Sequence, residues 1–243
     1  MKTSHHTKKT ENIQKQEEIT AHSSKALLFE LENLIINERE LQFKALCNVM
    51  EKRDIKITEI DFIRFCVDKP SSDFIPKILA LKEKTRLSKE KLEEEIEKQT
   101  RELIQGKEVR VNEKAISLLK KAVDKEIILG ALSHWDIDTA ADMAIRLNLD
   151  IPQSSMATSS SNWFIAKGEA WKQLSKTLGI PPKKSLSLVT SARSLKFSLY
   201  AGIPAIALPD KFTSAHDFGG SDFVFESLND HAINTILTCM EDL

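Results

Sequence analysis

The alternation of apolar and polar positions divides the chain into three stretches. Residues 1 to about 24 mix charges, with Lys8, Lys9, Glu11, Lys15, Glu17 and Glu18, and have almost no apolar periodicity. Such a segment cannot bury enough apolar surface to offset its ordering entropy, so residues 1–24 are expected to form a disordered tail. The first compact apolar run, Ala26-Leu27-Leu28-Phe29, has the length and continuity of a buried strand. From about Glu38 to Val123 the rhythm is helical. Leu41, Phe43, Leu46, Val49 and Met50 fall on one face. Ile60, Ile63, Phe65 and Val67 predict a second helix that stops near Lys69-Pro70, and Phe74, Ile75, Ile78 and Leu81 a third. Ser88 is placed to cap a fourth, with Leu92, Ile96 and Leu103 on one side and Glu93, Glu94, Glu95 and Lys98 on the other. The apolar spacing of that helix does not hold for three heptads, which favours a solvated outer face over a coiled coil.

After Asn112 helices alternate with short apolar runs. A helix over about 113–124 precedes the run Ile127 to Leu132. Another, over about 136–147, follows and leads into a serine-rich loop at 154–161. A helix over 167–178 ends at Gly179 with Pro181 and Pro182 behind it, the pattern of a helix stop. Leu186 to Val189 reads as a strand, and a helix then runs to Ala201 with Gly202 as its cap. Ile203 to Leu208 and Phe223 to Phe225 read as strands, and 230–241 as the last helix. Strands alternating with helices predict βαβ units, hence an α/β fold with a doubly wound parallel sheet. The first strand is separated from the others by the helical stretch. The expected division is a tail at 1–24, an α/β core made of 25–38 plus 112–243, and an inserted α-helical cap at 39–111.

Composition narrows the functions open to such a fold. The 243 residues include 35 Lys and Arg against 36 Asp and Glu, a net charge of -1, which lacks the basic footprint of a nucleic-acid binder. No apolar run approaches the roughly 18 residues of a membrane span, and the polar N-terminal residues contain no secretory apolar segment. The 3 cysteines, Cys47, Cys66 and Cys239, are too scattered for a disulfide framework or a zinc knuckle. A cytoplasmic protein without nucleic-acid or membrane partners is expected. Glycine is scarce, at 7 residues, and loops that cradle phosphate on backbone amides generally need it.

Five strings, in order, resemble the motifs of the haloacid dehalogenase-like superfamily, helical-cap phosphatase type. Phe29-Glu30-Leu31-Glu32-Asn33-Leu34-Ile35-Ile36-Asn37-Glu38 is similar to the family's FDLDGTLVDSE. Leu129-Gly130-Ala131-Leu132-Ser133 resembles the strand that ends in Thr or Ser. Lys167-Gly168 stands where a lysine opens a helix, about 34 residues after Ser133. Val189 to Gly202 lies against EDSxxGVxAAxAAG, and Gly219 to Leu228 against GADxVIxSLxEL. The resemblance spans about 26–241 and implies a Rossmann-like core with a helical cap.

It also implies a chemistry. In the family the first Asp is the nucleophile and forms an aspartyl-phosphate, and the second is the general acid/base. The Ser/Thr and Lys hold the phosphoryl group, and the acidic pair of the fourth motif helps bind Mg²⁺. Here the first two positions are Glu30 and Glu32, the phosphate-binding positions are Ser133 and Lys167, and the acidic pair is replaced by Val189 and Thr190. One extra methylene moves a carboxylate by roughly 1 Å, a misplacement that can cost about 100-fold in rate. Asn33 and Leu34 replace the Gly and Thr of the first loop. Mg²⁺ asks for one or two carboxylates in near-octahedral geometry. Val189 offers no ligand and Thr190 only a neutral hydroxyl.

Three readings follow. The first is a haloacid dehalogenase-like protein with a decayed phosphatase site. It would be non-catalytic, need no cofactor, and bind an anionic small molecule, through Ser133 and Lys167, or a protein partner. The alternative is a Mg²⁺-dependent phosphomonoester hydrolase with Glu30 as nucleophile and Glu32 as acid/base. The third is a structural or oligomeric subunit without a ligand. The remaining candidates read more simply as structure. His5 and His6 lie in the tail, Asp217 and Asp222 on a loop and a strand edge. His134-Trp135 falls in a polar loop before an Asp136 helix cap, and Trp163 and Phe164 read as packing residues.

Overall fold

The computed structural model of the chain describes residues 24–107, 109–149, 151–158 and 168–243. All but the last residue of the expected tail, together with Trp163, Phe164 and Lys167, lies outside the described residues. Among the described residues no helix is long and apolar enough to cross a membrane.

Six strands, β1 (Ala26–Glu30), β2 (Ile128–Ser133), β3 (Met156–Thr158), β4 (Ser185–Val189), β5 (Ala205–Ala207) and β6 (Phe223–Val224), form one sheet in the order β3-β2-β1-β4-β5-β6. Every pairing is parallel. The first strand therefore lies inside the sheet between β2 and β4, as the interrupted βαβ pattern predicts. All residues of β1, β2 and β4 are buried, which is why they read as unbroken apolar runs rather than alternating ones.

Alternate side chains feed two cores. Leu27, Phe29, Leu129, Ala131, Leu186 and Leu188 pack with α1 (Leu31–Ile35), α6 (Glu113–Asp124), α7 (Ile137–Arg146) and α10 (Asp230–Asp242). Ala26, Leu28, Ile128, Leu132 and Val189 pack with Trp171 and Leu174 of α8 (Gly168–Thr177) and Leu195 of α9 (Ala192–Tyr200). Gly130 lets α8 come close: an added Cβ would lie 2.7 Å from Leu28 and 2.8 Å from Leu178.

Between β1 and α6 the chain forms α2 (Glu38–Glu51), α3 (Glu59–Phe65), α4 (Ser71–Leu81) and α5 (Lys89–Gln105). They bury a third core, with Leu46, Met50, Phe62, Phe74, Ile78 and Leu92 among its members. Ser88 caps α5 as expected, accepting from the Lys91 amide. Thr58 and Asp61 close a capping box on α3. The two connections to this helical layer run side by side. Ile36 bridges Val111 in antiparallel fashion, Asn112 donates its amide to the Ile35 carbonyl, and the Arg110 amide donates to Asn37 Oδ1. The loop after β5 also reaches into the helical layer, where Phe212 packs against Phe43 and Phe62 with centroids 5.8 and 5.0 Å away.

Three local features depart from the sequence pattern. A one-turn helix, α1, follows β1 directly. Part of the serine-rich loop is the edge strand β3. Ile60 and Leu81, counted as buried face, are 72% and 50% exposed, while Phe62 and Leu79 take the inner positions. Each is a shift of one or two residues along a short helix, where a few apolar positions fit two faces almost equally.

Candidate functional site

The carboxyl ends of β1, β2 and β4 meet at one rim of the sheet, the place where open parallel sheets usually bind ligands. Glu30 is the last residue of β1, Glu32 lies in α1, Ser133 ends β2, and Thr190 follows β4. Glu30, Glu32, Ser133 and Thr190 are all at most 3% exposed. From the other side, the first turn of α2 delivers two consecutive charged residues, Glu38 and Arg39, also wholly or almost wholly buried. These six and His134 divide into two halves.

The first half is built on Glu30. Its Oε2 accepts the Thr190 backbone amide at 2.7 Å and the Thr190 hydroxyl. Its Oε1 is buried and has no hydrogen-bond partner. Arg39 donates to Thr190 Oγ1 at 3.0 Å, to Asp210 Oδ2 at 2.8 Å and to Asp68 Oδ1 at 3.2 Å. The Thr190 hydroxyl is thus a relay, accepting from the guanidinium and donating to the carboxylate. Burial raises the pKa of Glu30, with Arg39 and Thr190 partly offsetting it. Burial also works against the charge of Arg39, but Asp68, Asp210 and Glu30 outweigh it and hold the guanidinium more firmly protonated than usual. Asp68 has a left-handed backbone, φ 57°, a conformation Asp tolerates better than most residues. Its carbonyl accepts from Arg193 at the start of α9 at 2.8 Å.

The second half is built on Glu32 and Glu38. The Ser133 hydroxyl donates to Glu32 Oε1 and accepts the Trp135 amide at 3.1 Å. The His134 imidazole lies between the two carboxylates, with Nδ1 3.6 Å from Glu32 Oε2 and Nε2 3.0 Å from Glu38 Oε1. The Trp135 indole donates to Glu38 Oε1 at 2.9 Å, and the Arg101 guanidinium sits 4.5 Å above the indole ring. Burial alone would lower the pKa of His134. Glu38 and then Glu32 overcome it and carry the imidazole up to about 10. Glu38 is itself pushed up by burial, against the pull of His134.

The residues singled out in the sequence thus come together only in part. Glu30 and Thr190 share hydrogen bonds, as do Glu32 and Ser133. Val189 points into the apolar core. Asp217 and Asp222 are exposed, Asp217 accepting from the Gly219 amide. Asp136 caps α7 through the Thr139 amide, as expected. His134 and Trp135, read as part of a polar loop, are instead inside the site. Arg39, Asp68 and Asp210 carried no signal in the sequence, and Glu38 appeared only as the end of the first motif string, directly before an apolar helix face.

The Mg²⁺ that the fold's phosphatases imply does not fit the residues here. Val189 has no donor atom, and Thr190 is already hydrogen-bonded on both sides. The guanidinium of Arg39 occupies the carboxylates Asp68 and Asp210 beside Glu30. A dication there would have to displace a buried cation already paired with two carboxylates.

No protein-family model matches the sequence, and no curated protein matches it either. Solved structures do match. CbbY from Rhodobacter sphaeroides in complex with phosphate superposes with a TM-score of 0.70 at 15% identity, covering 86% of this chain and 96% of that one. A β-phosphoglucomutase from Clostridium difficile gives 0.70 at 15% identity over 90% and 98%. A family IA haloacid dehalogenase-like hydrolase from Entamoeba histolytica gives 0.71 at 16% identity over 88% and 99%. The chain has the haloacid dehalogenase-like fold over nearly the full length of these structures.

Proposed function

We propose that this chain with a haloacid dehalogenase-like fold is non-catalytic in phosphoryl transfer and acts as a binding protein. The observation that carries the reading is Arg39. Phosphoryl transfer depends on positioning and on neutralising charge on the moving group, and here the cation beside Glu30 is a side chain committed to Asp68, Asp210 and Thr190. Ser133, read as a phosphate ligand, spends its proton on Glu32. The helices over the site are also fastened down, by Arg39 to Asp210, by Arg193 to the Asp68 carbonyl and by Phe212 in the helical core.

A small anion would compete with two carboxylates for Arg39, which favours a protein partner over an anionic small molecule. The division into a core at 25–38 plus 112–243 and a cap at 39–111 belongs to the same reading, as does a cytoplasmic place of action. The alternative hydrolase reading has one observation in its favour: Glu30 Oε1 is buried without a partner, as a nucleophile awaiting a substrate would be.

A single set of measurements separates the two. The parent chain is assayed with p-nitrophenyl phosphate and a phosphomonoester panel in millimolar Mg²⁺, and its melting temperature is recorded with and without Mg²⁺ and inorganic phosphate. The expected result is background turnover and no Mg²⁺-dependent shift. Mg²⁺-dependent turnover that disappears in Glu30→Gln establishes the hydrolase instead.

A further inference from the structure

We infer that Glu32, Glu38 and His134 form a binding site for a transition-metal dication of the zinc class, separate from the place that Arg39 fills. Each of the three residues offers one ligand atom, and these atoms all lie within 4.8 Å of one another. In tetrahedral coordination at about 2.0–2.1 Å, ligand atoms stand about 3.4 Å apart. His134 Nε2 lies 3.0 Å from Glu38 Oε1, near that value; Glu32 Oε2 stands 3.6 Å from the other ring nitrogen, Nδ1, so an ion held by one nitrogen needs the imidazole or the Glu32 side chain to turn toward it.

Unsatisfied atoms supply a second, independent observation. Glu38 Oε2 and His134 Nε2 are buried and make no hydrogen bond. Nε2 is held by charge, 3.0 Å from Glu38 Oε1, whereas Glu38 Oε2 has no counterpart. The side chains are 0% and 6% exposed. Buried polar atoms of this kind are costly unless something pairs with them, and a metal ion would use both.

Charge and chemistry agree on the class. Two carboxylates and the imidazole, once the incoming ion has displaced its proton to solvent, neutralise a dication, so the loaded site would bury no net charge. Hard Mg²⁺ and Ca²⁺ prefer all-oxygen shells, whereas imidazole with carboxylate suits zinc and its neighbours. Outer contacts that orient ligands are also present. Trp135 donates its indole N–H to Glu38 Oε1 at 2.9 Å, and Ser133 donates to Glu32 Oε1. Such contacts tune a metal site nearly as much as the ligands themselves.

The test uses the full chain, stripped with a chelator and dialysed. His5→Ala with His6→Ala serves as the background, because the tail imidazoles could also take zinc. Zn²⁺ binding is followed by calorimetry and thermal unfolding, and Co²⁺ by its visible absorption, which reports coordination directly. The expected result is one ion per chain, an absorption pattern of four- or five-coordinate Co²⁺, and a higher melting temperature with Zn²⁺ but not with Mg²⁺. Glu38→Gln and His134→Gln, shown to be folded by circular dichroism, should weaken binding by more than the roughly 10–100-fold that losing an outer contact costs. Glu32→Gln stands in for either variant that fails to fold. The inference is overturned if the tail-substituted chain shows neither a Co²⁺ band nor a Zn²⁺ shift. It is equally overturned if binding survives unchanged in the folded Gln variants.

Discussion

Around Glu30 the chain brings a guanidinium; around Glu32 and Glu38 it brings an imidazole. Both halves stand on the same sheet rim and both draw on the first turn of α2, yet they solve the burial of carboxylates differently. Arg39 is fixed by three polar partners, two of them carboxylates. Both sides leave buried atoms without a hydrogen bond, Glu30 Oε1 and Asp68 Oδ2 on one, Glu38 Oε2 and His134 Nε2 on the other. One rim thus pairs its buried carboxylates with a guanidinium on one side and with an imidazole on the other.

Breaking the first half should have the largest effect. Arg39→Met leaves Asp68, Asp210 and Glu30 without their shared cation, and losing one partner of a buried ion pair costs about 3–5 kcal/mol. Urea unfolding should show that loss, and millimolar Mg²⁺ should return part of it in the variant but nothing in the parent. A parent stabilised by Mg²⁺ would mean that Arg39 does not fill the cation's place.

The second half should respond less. Trp135→Phe keeps the ring over which Arg101 stacks but removes the N–H on Glu38, a hydrogen bond to a charged group worth roughly 1.5–3 kcal/mol. The same unfolding measurement reads it, and a change under about 0.5 kcal/mol would show that Glu38 is not held by the indole.

Thr190→Val preserves shape and removes the relay between Arg39 and Glu30. The backbone amide of residue 190 still serves Glu30, so the expected cost is about 1–2 kcal/mol. A neutral result would show that guanidinium and carboxylate need no hydroxyl between them.

The smallest effect is a control outside both halves. Thr58→Ala opens the capping box of α3 and should cost about 1 kcal/mol near neutral pH. Partial burial pushes Asp61 upward, but Lys82 and the Thr58 bonds outweigh it and its pKa is lowered on folding. The stability it adds is therefore complete above its unfolded pKa, roughly 3.9, and is lost as pH falls through the folded value. The deficit of the variant should shrink between pH 6 and pH 3, as read from denaturation midpoints; a deficit that grows on acidification would reverse the sign assigned to Asp61.

The sheet was legible in the sequence because β1, β2 and β4 are buried on both faces and read as continuous apolar runs. Helix caps at Ser88 and Asp136 were legible because capping is a matter of local spacing. β3 was hidden because Met156-Ala157-Thr158 is too short to show a period and sits among serines. The site was legible only at the positions where the family motifs fall. Arg39 meets Asp210 across 171 residues of chain, and no local pattern encodes such a pair. His134 was misjudged for a related reason: whether a histidine after a strand faces water or two carboxylates depends on Glu38, which arrives from a different helix.

The central position of β1 also has a consequence for biosynthesis. Its residues are fully buried between two neighbours, yet Glu30, the last of them, precedes Thr190, just after β4, by 160 residues. At translation rates of about 5–20 residues per second, the strand leaves the ribosome roughly 8–30 s before its second neighbour exists. During that interval Ala26-Leu27-Leu28-Phe29 is an apolar segment with both hydrogen-bonding edges open, the kind of sequence that recruits holding chaperones or pairs with another nascent chain. The helical layer, whose apolar core lies within residues 43–96 apart from Phe212, can form in the meantime. The interval in which the new chain is most vulnerable therefore falls between completion of that layer and emergence of β4.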